Sequence, residues 1–285
     1  MYGQFFKKFW LAIVSPKVRL PADFPFSAKT SGMLYLKSLA CYTAGTLVPV
    51  GLFMGFVEYV AHYNPALGAT ILDEKNFLLT IALLSVVTFL SGFGAQFLYY
   101  RVQIHKQGRT MRDVLSLNTK NFGGSKLKLV GWGLVTCLIA MALEQGVGAI
   151  WPFQIKDPTA DLINSMHGLS FGLMALLAIG APLFEEVIFR GFLYSGIRTS
   201  LHKKLPAPTA PDYARKVFRY DLIACFGSAL MFGLMHMNLA GLPLYVAIGM
   251  VLAESYRRSG SLWVPIIGHF LNNGTLVVLM VYMHH

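Results

Sequence analysis

Apolar residues in this chain fall into long blocks separated by short basic stretches, and the two-residue alternation of strands is absent. A helix crosses the hydrocarbon of a bilayer with roughly 20 mostly apolar residues. Six or seven such windows can be marked, at residues 34–60, 77–100, 129–150, 167–195, 221–240, 241–256 and 263–283. They predict an all-α polytopic membrane protein of about seven transmembrane helices and argue against an outer-membrane barrel. Leu239-Ala-Gly-Leu-Pro243 puts Gly and Pro between the fifth and sixth windows, so these two are expected to form a helical hairpin. No internal repeat and no low-complexity segment is visible.

Three parts follow from this pattern. Residues 1–33 form a cytoplasmic or interfacial segment, 34–164 carry N-terminal transmembrane helices and loops, and 165–285 form a C-terminal core. The opening MYGQFFKKFWLAIVSPKVRL is basic, with a short apolar run and no small-residue cleavage site. It reads as an interfacial amphipathic piece anchored by Phe5, Phe6, Phe9 and Trp10, with a frayed tail as the alternative.

Composition agrees with a membrane protein. The 285 residues are 55% hydrophobic and 13% charged, with a mean hydropathy of +0.55, too apolar for an ordinary soluble domain. A net charge of +11 raises the question of nucleic acid, but the basic residues lie between the apolar windows and act as topology signals. Assigned to alternate sides, one side collects Lys7, Lys8, Lys17, Arg19, Lys29, the basic residues of 101–128 and 198–219, Arg257 and Arg258. The other side receives Lys75 and Lys156 alone. Seven spans with a cytoplasmic N-terminus and an outside C-terminus are expected, with the bilayer as partner and no nucleic acid. Cys41, Cys137 and Cys225 have neither a disulfide framework nor metal-type spacing.

An ionisable side chain at the bilayer centre costs at least ~2.5–3.5 kcal/mol, so each one inside a window needs a partner or a task. They are Lys37, Glu144, Glu185, Glu186, Arg190, His236, Glu254 and His269, joined by the amides of Asn272 and Asn273. Lys37 and Glu254 lie near window ends, from which they can reach the interface. Glu144 lies deeper and receives no assignment. The rest concentrate in the C-terminal core.

In the stretch APLFEEVIFRG, Glu186 and Arg190 are four apart and share a helix face, whereas Glu185 points away from both. Glu186–Arg190 is therefore expected to be a bracing pair and Glu185 a free carboxylate. The structural alternative is an interhelical ion-pair network. Pro182 is expected to loosen the helix, and a restart there would turn a helix N-terminus towards Glu185. A carboxylate so placed can act as a general base on water. His236 and His269 lie on two further helices. Either could be a satisfied core histidine, but two with a free glutamate suggest a site. His269 and Asn273 again share a face and could donate to an oxyanion on a peptide carbonyl.

The motifs Glu-Glu-x-x-x-Arg at 185–190, Phe-x-x-x-His at 232–236 and His-x-x-x-Asn at 269–273 occur in order on separate apolar helices. This resembles the CAAX prenyl endopeptidase and bacteriocin-processing family, known as CPBP or Abi, over residues 165–283. The resemblance implies an intramembrane glutamate protease. Glu185 would activate water, His236 would help hold it, Glu186 and Arg190 would brace the site, and His269 with Asn273 would stabilise the oxyanion. Its substrates would be lipidated or membrane-associated peptides or proteins. No cofactor is implied, and a metal ion is left open.

The same residues admit three rival readings. A zinc metallopeptidase could use His236, His269 and a glutamate, but there is no His-Glu-x-x-His motif and Arg190 opposes a cation. A non-catalytic scaffold or bacteriocin-immunity protein of the same fold would be expected to have lost motif side chains. A transporter would be expected to show repeats and paired broken helices.

Overall fold

The computed structural model describes residues 24–71, 73–150 and 168–283. The aromatic anchors expected at Phe5, Phe6, Phe9 and Trp10 fall outside them. Helix α1 (Ala28–Tyr63) begins where the Ser27 hydroxyl accepts the Thr30 N–H at 3.1 Å, satisfying one of the donors a helix start leaves open. Its 36 residues, at ~1.5 Å each, exceed the thickness of the hydrocarbon. A short α2 (Pro65–Ile71) leads to α3 (Glu74–His105). A one-turn α4 (Met111–Val114) and a 3-10 turn (Lys120–Phe122) then precede α5 (Lys126–Ile150).

The C-terminal part opens with α6 (Gly168–Glu186), which passes without a break into a π-helical segment, Val187–Tyr194, and then into α7 (Ser195–His202). A loop leads to α8 (Tyr213–Met235), and at its start Lys216 donates to Asp212 at 2.9 Å, holding that carboxyl below the usual carboxylate range. Helices α9 (Leu242–Ser259) and α10 (Trp263–Met283) complete the chain. Gly260, at φ 63, takes the left-handed position that closes α9. No strand occurs among the described residues.

Helices α1 and α3 pack as one pair, α8 and α9 as the expected hairpin, and α10 lies between α5 and α6. Helix α6 touches α3, while the π segment contacts α1, α8 and α9. That segment is the hub of the core: all eight of its residues are buried, and Phe192 stacks on Tyr100 with centroids 3.9 Å apart. Phe24 and Phe26 pack edge-on and tilted against the same Phe192 ring. Outward faces stay apolar, as with Leu47, Leu52 and Phe56 on α1, Leu90 on α3 and Leu138 on α5. Ala28–Tyr63, Asn76–His105, Lys126–Ile150, Phe171–His202 and Tyr213–Met235 are each long and apolar enough to cross a membrane, and Trp263–Leu279 is a shorter apolar run. The chain is an integral, multi-pass membrane protein.

Three expectations need correction. Helix α6 runs through Pro182 without restarting, so no freed helix N-terminus faces Glu185. The backbone departs from α geometry only at Val187, where it adopts π turns. The helix of the fifth window starts and ends earlier than the apolar pattern predicts, running Tyr213–Met235 and not to residue 240. His236 sits at the helix end, Met237 adopts φ 50, and the Asn238 side chain accepts the Gly241 N–H at 3.0 Å to form the turn. The sixth window does form a helix, but Glu254, Arg257 and Arg258 leave α9 less apolar than a spanning helix, and it is packed within the bundle.

Candidate active site

The end of α6 brings two adjacent carboxylates to the middle of the bundle. Glu186 is fully buried, and Arg190 donates to its Oε1 at 2.9 Å across the expected four-residue step. Arg190 also donates to the Gly249 carbonyl at 3.1 Å and lies 4.5 Å from the centroid of Phe232. Gly249 is small for a reason: a Cβ there would stand 2.9 Å from Ala229 Cα, so α8 and α9 meet at van der Waals distance. A second donor reaches the same carboxylate oxygen of Glu186, since His269 Nδ1 donates to Oε1 at 2.9 Å from α10. The π segment starts immediately after these acids, and such irregular turns occur often at functional sites.

Glu185 has no such partner. Its side chain is 23% exposed, and its Oε2 lies 3.8 Å from His269 Nε2, beyond hydrogen-bond distance. With Nδ1 committed to Glu186, the His269 ring turns Nε2 towards Glu185, an orientation that an acidic neighbour commonly fixes in catalytic imidazoles.

His236 approaches from the end of α8. Its Nδ1 donates to the Phe232 carbonyl at 2.9 Å, so the neutral ring carries its lone pair on Nε2. Tyr245 of α9 stacks on it at 4.2 Å and 18°. His236 and Glu185 line one cavity of about 520 Å³. Its other walls include Tyr35, Leu39, Tyr42, Phe89, Phe93 and Gln96 from α1 and α3. The bundle therefore brings Glu185, Glu186, Arg190, His236 and His269 together around the Phe232 ring, which lies 4.7 Å from His236 and 5.7 Å from His269 between centroids.

The two asparagines turn elsewhere. Asn273 donates to the Ala178 carbonyl of α6 at 2.8 Å, and Asn272 donates to Glu144 of α5 at 2.9 Å. The spacing of the motif gave no sign of Tyr245, Gly249, Glu144 or the α1–α3 wall. Asp221 was also missed, because it falls at the edge of the fifth window. It accepts from Arg198 at 2.9 Å, His202 at 2.7 Å and Arg257 at 3.3 Å, while Glu254 accepts from Arg257 and Arg258. This network ties together the ends of α7, α8 and α9. A separate groove of about 590 Å³ beside it, lined by Trp132, Ile139, Phe218 and Met250, contains none of the motif residues. Among the described residues no three His, Cys, Asp or Glu side chains are grouped as metal ligands.

Residues 167–275 match the family described as Type II CAAX prenyl endopeptidase Rce1-like. The match is confined to the C-terminal part of the chain. The matched residues contain all three motifs and every residue lining the cavity except those of α1 and α3. The chain is similar to YdiL of Bacillus subtilis (strain 168), whose name describes a membrane peptidase, with 28% identity over 154 residues covering 52% of this chain and 55% of that protein. It is also similar to the membrane-embedded CAAX protease MroQ of Staphylococcus aureus (strain USA300), with 24% identity over 158 residues covering 54% of this chain and 59% of that protein. The matches thus span little more than half the length of these relatives. No solved structure matches the chain.

Proposed function

We propose that this protein is an intramembrane endopeptidase in which a water molecule, activated by Glu185, attacks a peptide carbonyl directly. The observation that carries the reading is that Glu185 and His236 line one cavity, while His269, held by Glu186, turns Nε2 to within 3.8 Å of Glu185. In the first step Glu185 takes a proton from water as the new C–O bond forms, and the carbonyl π electrons move onto oxygen. His236 holds the water through Nε2.

His269 in its imidazolium form donates from Nδ1 to Glu186 and from Nε2 to the oxyanion. An asparagine amide has two N–H donors. Asn273 gives one to the Ala178 carbonyl, about two turns before Glu185 on α6, and so holds α10 against α6. Collapse of the tetrahedral species breaks the C–N bond, and the proton held by Glu185 passes to the leaving amine. Glu186 and Arg190 keep His269 and Glu185 in register. The substrate is a peptide, lipidated or otherwise membrane-associated, that reaches the cavity from the bilayer. The N-terminus and the basic loops face the cytoplasm.

The decisive experiment compares the wild type with Glu185→Ala and Glu185→Gln in proteoliposomes, using a membrane-associated peptide library read by mass spectrometry. A positioned general base contributes roughly 10²–10⁴-fold. Cleavage is expected to fall by at least about 100-fold in both variants while insertion and thermal unfolding stay as in the wild type. Turnover unchanged in either variant rejects the mechanism. Arg190 and His269 both donate to Glu186 Oε1, and the Arg190 charge beside the two carboxylates opposes a cation there. Cleavage is accordingly expected to survive exhaustive chelation.

A further inference from the structure

Glu144 stands on α5, outside the matched residues 167–275, and its place in the sequence suggests no role. In the bundle it is half-buried and accepts a hydrogen bond at 2.9 Å from Asn272, which is 3% exposed. Asn272 follows His269 by three residues, so the two side chains leave α10 roughly 60° apart around its axis.

Helices α5 and α10 are also in direct contact just before His269. A Cβ on Gly133 would lie 2.5 Å from Ile267 Cγ2, and one on Gly268 would lie 2.8 Å from Thr136 Cβ. Residues 267, 268 and 272 are thus all held by α5, on both sides of His269 in sequence. Asn273 ties the neighbouring face to Ala178 of α6. The tip of a side chain stands roughly 5–6 Å from a helix axis, so a rotation of about 10° displaces it by about 1 Å. His269 meets Glu186 at 2.9 Å and stands 3.8 Å from Glu185 at this rotation.

We infer that Glu144 is a positioning residue: through Asn272 it sets the rotation of α10, and with it the place of His269 between the two glutamates. The inference rests on the proposed hydrolysis, in which a displacement of about 1 Å can cost on the order of 100-fold. Asn272 Oδ1 is buried and has no partner. Gln at 144 would keep an acceptor for the Asn272 N–H and bring an N–H that Oδ1 can accept, whereas Leu offers neither.

The test uses the full-length protein in proteoliposomes and a peptide that the wild type cleaves, with kcat expressed per folded molecule from thermal unfolding. Glu144→Leu and Asn272→Leu are each expected to lower kcat by at least about tenfold with KM within about twofold. The double variant is expected to be no slower than the worse single one, because both remove the same hydrogen bond. Glu144→Gln is expected to restore kcat to within about threefold and to unfold no earlier than the wild type.

Wild-type kcat in folded Glu144→Leu overturns the inference. So does an additive loss in the double variant, failure of Glu144→Gln to rescue, or a loss that merely follows the folded fraction. Where Glu144→Leu does not fold, Asn272→Leu decides by the same criterion, and unchanged kcat overturns the inference. A wild type that cleaves no peptide rejects the hydrolysis itself and this inference with it; an active wild type with an indifferent Glu144→Leu rejects the inference alone.

Discussion

Arg190 and Glu185 lie within one turn and a half of each other, yet their substitutions should fail in opposite ways. Arg190 is fully buried and donates to Glu186 and to the Gly249 carbonyl, so it joins α9 to the π segment. Arg190→Met leaves the Glu186 carboxylate buried with His269 as its remaining donor, and breaking a buried pair costs about 3–5 kcal/mol. That variant is expected to unfold at lower temperature and to accumulate poorly. Lys at the same position should recover only part of the loss, because an ammonium lacks the planar fork that reaches two acceptors at once. Glu185 approaches His269 only to 3.8 Å, so Glu185→Gln should leave the unfolding temperature in place while abolishing turnover. Thermal unfolding in detergent, run beside the cleavage assay, separates the two. The Glu186–Arg190 pair was legible because four residues on a helix fix a face. The contact of His269 with Glu186 and that of Asn273 with Ala178 were not, since partners 83 and 95 residues apart leave no trace in spacing and a backbone acceptor has no side-chain signature.

The elements that place these side chains were legible as apolar blocks, but the points where they end or distort were not. Val187–Tyr194 continues the apolar block of α6 and is buried at every residue, with nothing in its residue types to tell a π turn from an α turn. The end of α8 was obscured because Met235, Met237 and Leu239 continue the apolar run past the last helical residue. What ends the helix is Met237 at φ 50, a left-handed conformation that costs a side-chain-bearing residue about 1–2 kcal/mol. His236 immediately before it owes its direction to this turn. Met237 is 91% exposed, so substitutions there test the backbone and not packing. Met237→Gly is expected to preserve turnover, with an unfolding temperature equal to or above that of the wild type. A β-branched Ile should lower stability by about 1 kcal/mol and reduce kcat by shifting His236. Cleavage rates and unfolding curves of the two variants, measured together, check both expectations.

At the scale of the whole molecule, the cavity is composite. The region that matches the family model supplies Glu185, His236 and Tyr245, while α1 and α3 of the N-terminal half close the opposite side with Tyr35, Tyr42, Phe89, Phe93 and Gln96. The rings of Tyr42, Phe89, Phe93 and Phe184 stand in successive contact at 4.6–5.7 Å between centroids, and Phe184 is next to Glu185 in the chain. This juxtaposition could not be read from the sequence, because in a bilayer the protein-facing and lipid-facing sides of a helix are both apolar and no amphipathic stripe marks the buried face. The wall should act on the choice of peptide and leave the hydrolytic step largely alone. Tyr42→Ala widens the cavity on its α1 wall and withdraws apolar surface from whatever side chain lies beside the scissile bond. Losing about 1.4 kcal/mol of such contact raises KM tenfold, so peptides with large apolar residues at the cleavage site should show that rise with little change in kcat. Peptides with small residues there should be nearly unaffected. A cleavage profile across a library that keeps its wild-type order of preference in Tyr42→Ala would assign α1 and α3 to the support of the fold alone.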